Sequence, residues 1–429
     1  MAQRAHLAQN SSAAKTANIV HDLLRDYHPR DFAIEFWDGT RLEPERSNFC
    51  RFTWHINSPD VLRVTRRSDR QVALGEAYIY DDFDISGDII AIFPVAEYLA
   101  NKHFGASEKL RLGTLLLTLP HESHTEDSAP HLHGRVHSKA RDREAVTAHY
   151  DLSNDFYQLW LDAAMVYSCA YFRSTSNTID QAQKQKLDYI CRKLRLKPGE
   201  RLLDIGCGWG GLVLHAAREY GVKATGITLS AQQRALAQER ISQAGLNDRC
   251  EVRLLDYRDA AQLGEFDKVV SVGMVEHVGE HNLPEYFHAA YQLLKPGGVF
   301  LNHGIARAGS REDAVEPTFT DVYVFPDGEL VPISEMLRHA ENSGFEVRDV
   351  EDLREHYFLT LCQWLRRLEA RADEVRKIIG EVKYRTWRLY LAGSAYYFQI
   401  GKLCLYQSLL AKNADGQERL PLTREDWYR

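Results

Sequence analysis

The chain has 429 residues, 44% of them hydrophobic, and a formal net charge of −7. That length implies two domains or one core enlarged by an added lobe, and the absence of a general basic field argues against nucleic acid as a partner. Seven cysteines scattered without close pairs or metal-ligand spacing argue against a disulfide framework and a zinc site, and no run approaches the roughly 20 apolar residues of a membrane span, so a soluble protein of a reducing cytoplasm is expected.

Residues 15–120 read as a lobe of their own. Phe32–Thr40 and Cys50–Ile56 alternate like strands, Asp38-Gly39 is a turn signal, and helical stretches follow around 89–118. Residues 121–140 are polar, broken by Pro130 and Gly134, and read as a flexible linker whose histidines (His121, His124, His131, His133, His137) lack a frame for metal. A cofactor-binding domain is expected over 141–429.

Within it, Leu202-Leu-Asp-Ile-Gly-Cys-Gly-Trp-Gly-Gly211 predicts a strand, a turn and the start of a helix. Glycine tolerates positive φ and close ligand approach, so Gly206, Gly208 and Gly210 suit a nucleotide-like cofactor at a helix N-terminus. A purely structural turn or another nucleotide fold remains open at this point. A dinucleotide site wants a carboxylate at the end of the next strand, but Lys223–Thr228 runs into Leu229, Ser230 and Gln233, which argues against NAD. Hydroxyls and an amide there can hold a ribose or an amino-acid moiety, and Asp256 with Tyr257 can hydrogen-bond and stack on an adenine. These are the parts of an S-adenosylmethionine site. Strands at 266–273 and 299–303 continue a doubly wound α/β sheet, its site at the strands' C-terminal ends. Tyr384 to Tyr406 reads as an aromatic-rich helix.

Six motifs in order then carry a family resemblance over roughly residues 145 to 410. They are Tyr-Asp-Leu-Ser-Asn-Asp-Phe-Tyr (150–157), Tyr-Ser-Cys-Ala-Tyr-Phe (167–172), Asp-Ile-Gly-Cys-Gly-Trp-Gly-Gly (204–211), Thr-Leu-Ser-Ala-Gln-Gln (228–233), Asp-Tyr-Arg-Asp (256–259) and Ser-Val-Gly-Met-Val-Glu-His-Val-Gly (271–279). The set resembles the cyclopropane-fatty-acyl-phospholipid synthases and their mycolic-acid cyclopropane synthase relatives. That implies a class I methyltransferase: a Rossmann-like seven-stranded sheet with a smaller α+β N-terminal lobe.

The resemblance implies Tyr167 and Ser168 over the methionine end of the cofactor, Asp204, Gly206, Cys207 and Gly208 beneath it, Thr228, Leu229, Ser230 and Gln233 near the ribose, and Asp256 and Tyr257 near the adenine. It further implies bicarbonate as the base that removes a proton during ring closure, held by Glu276, His303 and Tyr390 with backbone groups of Cys169 and Ile305. The thiol of Cys169 has no nucleophilic role in sulfonium alkylation. Membrane phospholipid with unsaturated acyl chains is the implied substrate, reached by transient docking of a cytoplasmic, peripheral enzyme, and a homodimer is the assembly common in the family. Lys102, Lys109, Arg111 and Arg366-Arg367 are candidates for the docking surface. Val275, Asn302, Gly304, Ser394 and Gln399 depart from the family's usual wording, which leaves methyl-branching or methylenation as other outcomes. A small-molecule N-methyltransferase is a more distant alternative.

Overall fold

The computed structural model describes residues 12–45, 49–103, 105, 113–114, 132–150, 152–309, 317–414 and 420–428. Two compact units divide the chain: Met1–Ala129 with Ala314–Val324 and Gly380–Gly393, and Pro130–Asp313 with Phe325–Ile379 and Ser394–Arg429. The stretch expected as one domain from 141 onward is thus interrupted twice, at 314–324 and 380–393.

The first unit holds a sheet of β1 (Ala33–Phe36), β2 (Arg41–Leu42), β3 (Phe52–Ile56) and β4 (Phe83–Gly87) in the order β2-β1-β3-β4. The expected Asp38-Gly39 turn joins β1 to β2, with Gly39 at φ +83°. Two buried arginines of the 380–393 segment bind the sheet of this unit. Arg385 donates to the carbonyls of Tyr78 and Phe83 at 2.7 Å, and Arg388 to Tyr78 Oη at 2.7 Å and the Ile85 carbonyl at 3.0 Å. Of the docking candidates, Lys109 and Arg111 lie outside the described residues. Lys102 does not face solvent: its ammonium donates to the Leu23 carbonyl at 2.7 Å and to Tyr98 Oη at 3.0 Å, a structural use that a charge count cannot reveal.

The second unit is built on β5 (Arg201–Ile205), β6 (Lys223–Thr228), β7 (Cys250–Leu254), β8 (Phe266–Val272), β9 (Leu294–Arg307), β10 (Phe345–Asp352) and β11 (Leu403–Lys412). They form the expected α/β sheet of seven strands, ordered β10-β11-β9-β8-β5-β6-β7. β11 lies antiparallel between β9 and β10, and the other pairs are parallel. Apolar clusters cover both faces of the sheet, as parallel strands require. Order reverses between β5 and its neighbours β6 and β8, the crevice where ligands bind in such sheets.

Two expectations are corrected. The helix read over Tyr384–Tyr406 ends at Gln399, and Gly401 at φ +75° turns the chain into β11. Residues 121–131 lie outside the described residues, but 132–140, read as flexible linker, are folded onto this unit. Arg141 in the following helix, Lys139–Tyr150, pairs with Asp327 and donates to the Gly134 carbonyl at 2.9 Å, while Lys139 reaches Asp259 at 2.7 Å. Asp327 and Asp259 stand more than a hundred residues away, so local polarity mimics disorder.

Candidate active site

β5 ends in the glycine turn. Gly206, Gly208 and Gly210 all take positive φ (+80°, +54° and +77°), and Gly210 begins the helix Gly211–Tyr220 from the left-handed region. A cavity opens above this turn, lined by Tyr167, Ser168, Asp204, Gly206, Cys207 and Gly208, by Thr228, Leu229 and Gln233 at the end of β6, and by Asp256 and Tyr257 after β7. Ser230 stands behind it as the N-cap of the helix Ala231–Gln243, accepting from the Gln233 amide at 3.2 Å. Thr228 Oγ1 donates to Gln233 Oε1 at 2.7 Å, which leaves the carboxamide nitrogen as that pair's donor.

Three of the turn amides are engaged within the protein. Those of Gly206 and Cys207 both donate to the Ile227 carbonyl at 3.0 Å, and that of Gly210 to the Cys207 carbonyl at 3.0 Å. They serve the turn and are not what receives a ligand carboxylate. Gly226 on β6 is equally tied to the turn, since a Cβ there would meet Cys207 Sγ at 2.6 Å.

At the adenine end, Asp256 accepts from Arg258 Nε at 2.8 Å and Nη2 at 2.6 Å. Burial raises its pKa, but the hydrogen bonds and charge of Arg258 outweigh that and hold the carboxyl below its ordinary value. Arg258 Nη2 also donates to Asp142 Oδ2 at 2.8 Å. Asp142, Arg258 and His277 line the cavity too; the first two were not singled out in the sequence, where His277 reads as a residue that fixes the loop. Burial pushes His277 down to about 4, so its ring is neutral. At the other end an aromatic wall encloses Tyr167, whose ring lies 5.4 Å from Trp160 and 5.3 Å from Trp364.

The proposed base-holding groups separate into two sets. Glu276, in the turn after β8, is buried, and Oε1 accepts from the Ile305 amide at 2.7 Å. Burial raises its carboxyl to about 7. His303 on β9 is fully buried, which drives its pKa well down and keeps the ring neutral. Gln407, its direct partner on β11, donates from Nε2 to His303 Nδ1 at 3.1 Å. Glu276 Oε2 and His303 Nε2 have no hydrogen-bond partner among the described residues. Cys169 is fully buried with its thiol pushed up by desolvation, and Sγ donates to the Ala170 carbonyl at 3.2 Å, so it is no nucleophile. Tyr390 belongs to the first unit, where its ring packs 5.7 Å from Trp387. The unusual residues Val275 and Gly304 fit one another: a Cβ at Gly304 would overlap the Val275 side chain. Asn302 accepts from Tyr286 Oη at 2.8 Å. Arg367, a docking candidate, is held inward by the Leu161 carbonyl at 2.8 Å and by Asp180, while Arg366 is exposed. Among the described residues no group of side chains could hold a metal ion.

A glycine-turn cavity at the switch point of this sheet, without the acidic residue of a dinucleotide fold, defines a class I S-adenosylmethionine-dependent methyltransferase. Residues 137–408 match the model of the mycolic acid cyclopropane synthetase family, and the chain belongs to it. It is 42% identical over 401 residues to "Probable fatty acid methyltransferase" of Pseudomonas putida, covering 92% of this chain and 96% of that one. It is 37% identical over 317 residues to the cyclopropane-fatty-acyl-phospholipid synthase of Escherichia coli K12, covering 73% and 80%. Among solved structures, the mycolic acid cyclopropane synthase CmaA1 complexed with SAH and CTAB matches at a TM-score of 0.60 and 33% identity, covering 63% of this chain and 98% of that one.

Proposed function

We propose that this enzyme transfers a one-carbon unit from S-adenosylmethionine to the cis double bond of an unsaturated phospholipid acyl chain and closes a cyclopropane ring. The observation that carries this reading is the pair of partnerless buried atoms, Glu276 Oε2 and His303 Nε2. Buried polar atoms are rarely left unpaired, and a pair of them in one unit fits a small polar guest. Bicarbonate suits that donor set. His303, neutral and accepting at Nδ1 from Gln407, carries its proton on Nε2 and donates, while the Glu276 carboxyl accepts or donates according to pH. The Ile305 amide acts through Glu276, which it orients. The backbone of Cys169, in the same unit, completes the proposed set. Bicarbonate there would supply a base for the proton that ring closure releases.

S-adenosylmethionine supplies an electrophilic methyl group when bound. The chain's own part is positioning and electrostatics: Gln233, Asp256 and Tyr257 at the nucleoside, and the aromatic wall of Tyr167, Trp160 and Trp364 to exclude water. No described helix is long and apolar enough to cross a membrane. The reading includes, from the family resemblance, a peripheral enzyme on the cytoplasmic side that docks transiently on the bilayer, with Arg366 among its headgroup contacts, and that works as a homodimer.

A second reading, methyl branching or methylenation of the same acyl chain, is favoured by the Val275–Gly304 pair, which alters the wall beside Glu276. Purified protein incubated with S-adenosylmethionine and liposomes of cis-monounsaturated phospholipid, followed by mass spectrometry against cyclopropane, methyl-branched and methylene standards, separates the two. A ring product supports the first reading; a branched or methylene product replaces it, and no lipid product despite cofactor binding sinks both.

A further inference from the structure

Lys186 lies on the buried face of the helix Ile179–Leu194, in line with Ala182, Gln183 and Ile190, and only 1% of its surface is exposed. Yet its side chain lines the cofactor cavity. Its ammonium donates to Ser168 Oγ at 2.8 Å, so that hydroxyl keeps its own hydrogen for another acceptor. Asp204, 2% exposed, lines the same cavity, and its Oδ1 has no hydrogen-bond partner among the described residues. The amides of Gly206, Cys207 and Gly210 are engaged within the turn, so those three do not receive a ligand carboxylate.

A buried charge is tolerated when it is paired and hydrogen-bonded. Burial pulls Lys186 down to about 8, offset in part by the charge of Asp162 and less by that of Asp204, and pushes Asp204 up to about 7, offset in part by Lys186. The protein therefore leaves both groups short of a full countercharge. A ligand that carries an ammonium and a carboxylate on adjacent atoms satisfies both at once.

We propose that Lys186, with the hydroxyl it orients on Ser168, receives the α-carboxylate of S-adenosylmethionine, while Asp204, beneath the methionine end as the family resemblance implies, takes the α-ammonium. The buried lysine and aspartate read the amino-acid zwitterion, and Lys186 is a specificity-determining residue for the cofactor. Because the recognition is by charge, it discriminates against a nucleoside thioether that lacks the amino-acid end.

Calorimetric binding of S-adenosylhomocysteine, its decarboxylated analogue and 5′-methylthioadenosine to the full-length wild type, K186Q and D204N tests this. Charged hydrogen bonds in a buried site imply that the wild type prefers S-adenosylhomocysteine to the decarboxylated analogue by about 30-fold. K186Q should bind those two alike, holding the decarboxylated analogue within about threefold of wild type. D204N should weaken both amine-bearing ligands by about tenfold and leave methylthioadenosine unchanged, which also reports that the site is folded. K186R, which restores the charge, should recover part of the preference. A K186Q protein that keeps the wild-type preference, or that loses all three ligands in parallel, overturns the proposal.

Discussion

Gln407 and His303 face each other across β11 and β9, and the Gln407 carboxamide nitrogen lies 3.1 Å from His303 Nδ1. An amide donor at Nδ1 makes that nitrogen the acceptor and places the ring proton on Nε2, the atom left without a partner. The tautomer of a proposed catalytic histidine is therefore set from the neighbouring antiparallel strand. Q407E, a pure acceptor when ionised, should reverse the tautomer and lower kcat by about 10- to 100-fold, in the range of other lost orienting partners, with S-adenosylhomocysteine affinity unchanged. Wild-type kcat in Q407E would remove Gln407 from the mechanism.

Glu276 gives a pH signature with a definite sign. Its carboxyl stands at about 7 in the folded protein, raised by burial from an ordinary 4.5. Between those values the folded state holds a proton that the unfolded chain has released, so stability falls as pH rises through this window and the loss is complete above about 7. The full cost is on the order of 3 kcal/mol. E276Q keeps an acceptor for the Ile305 amide without the charge. It should therefore resist denaturant better than the wild type at pH 8, match it near pH 4.5, and lose at least about 100-fold in activity, the scale of a lost acid–base group. Lower stability than the wild type at pH 8 would contradict the burial argument.

Gly226 is a residue whose importance only the packing shows. Its missing Cβ leaves room for Cys207, whose Sγ and Cβ would stand 2.6 Å and 2.8 Å from an alanine methyl, with Val213 at 3.0 Å on the other side. G226A should push the glycine turn out of place, destabilise the protein by about 1–3 kcal/mol and weaken S-adenosylhomocysteine binding. Thermal unfolding with and without ligand measures both. An unchanged ligand-induced shift would mean that the turn absorbs the methyl.

What the sequence made legible follows a physical division. The glycine turn, the strands at 201–205, 223–228, 250–254 and 266–272, and the residues at their C-terminal ends were readable because local rules govern them: backbone sterics for Gly206, Gly208 and Gly210, apolar runs for buried parallel strands. Gln407 was not, because β11 was read as the tail of a helix and its pairing partner lies 104 residues away. Lys186 was hidden differently. On a helical wheel it falls on the apolar stripe between Ala182 and Ile190, where a lone lysine looks like an interruption, and its meaning comes from Ser168 and Asp204 on other elements. Residues 132–140, within the stretch 121–140 read as linker, look solvated for the same reason in reverse, since Lys139 pairs with Asp259 and His137 stands 4.0 Å from Glu329.

Asp142 turns that last correction into a test. Arg258 joins it to Asp256 through a single guanidinium nitrogen, Nη2, at 2.8 Å and 2.6 Å, and both carboxylates line the cavity. The helix that carries Asp142 is thereby anchored to the nucleoside end, not to the amino-acid end. D142A leaves Arg258 paired with Asp256, so a moderate cost is expected, about three- to tenfold in affinity for a partly buried ion pair. Because the anchored end is the one shared by both ligands, S-adenosylhomocysteine and 5′-methylthioadenosine should weaken together. Limited proteolysis should also cut more readily within 132–150, as loss of the ion pair loosens that segment. Weakening of S-adenosylhomocysteine alone would place Asp142 at the amino-acid end and reverse the orientation assigned to the cofactor.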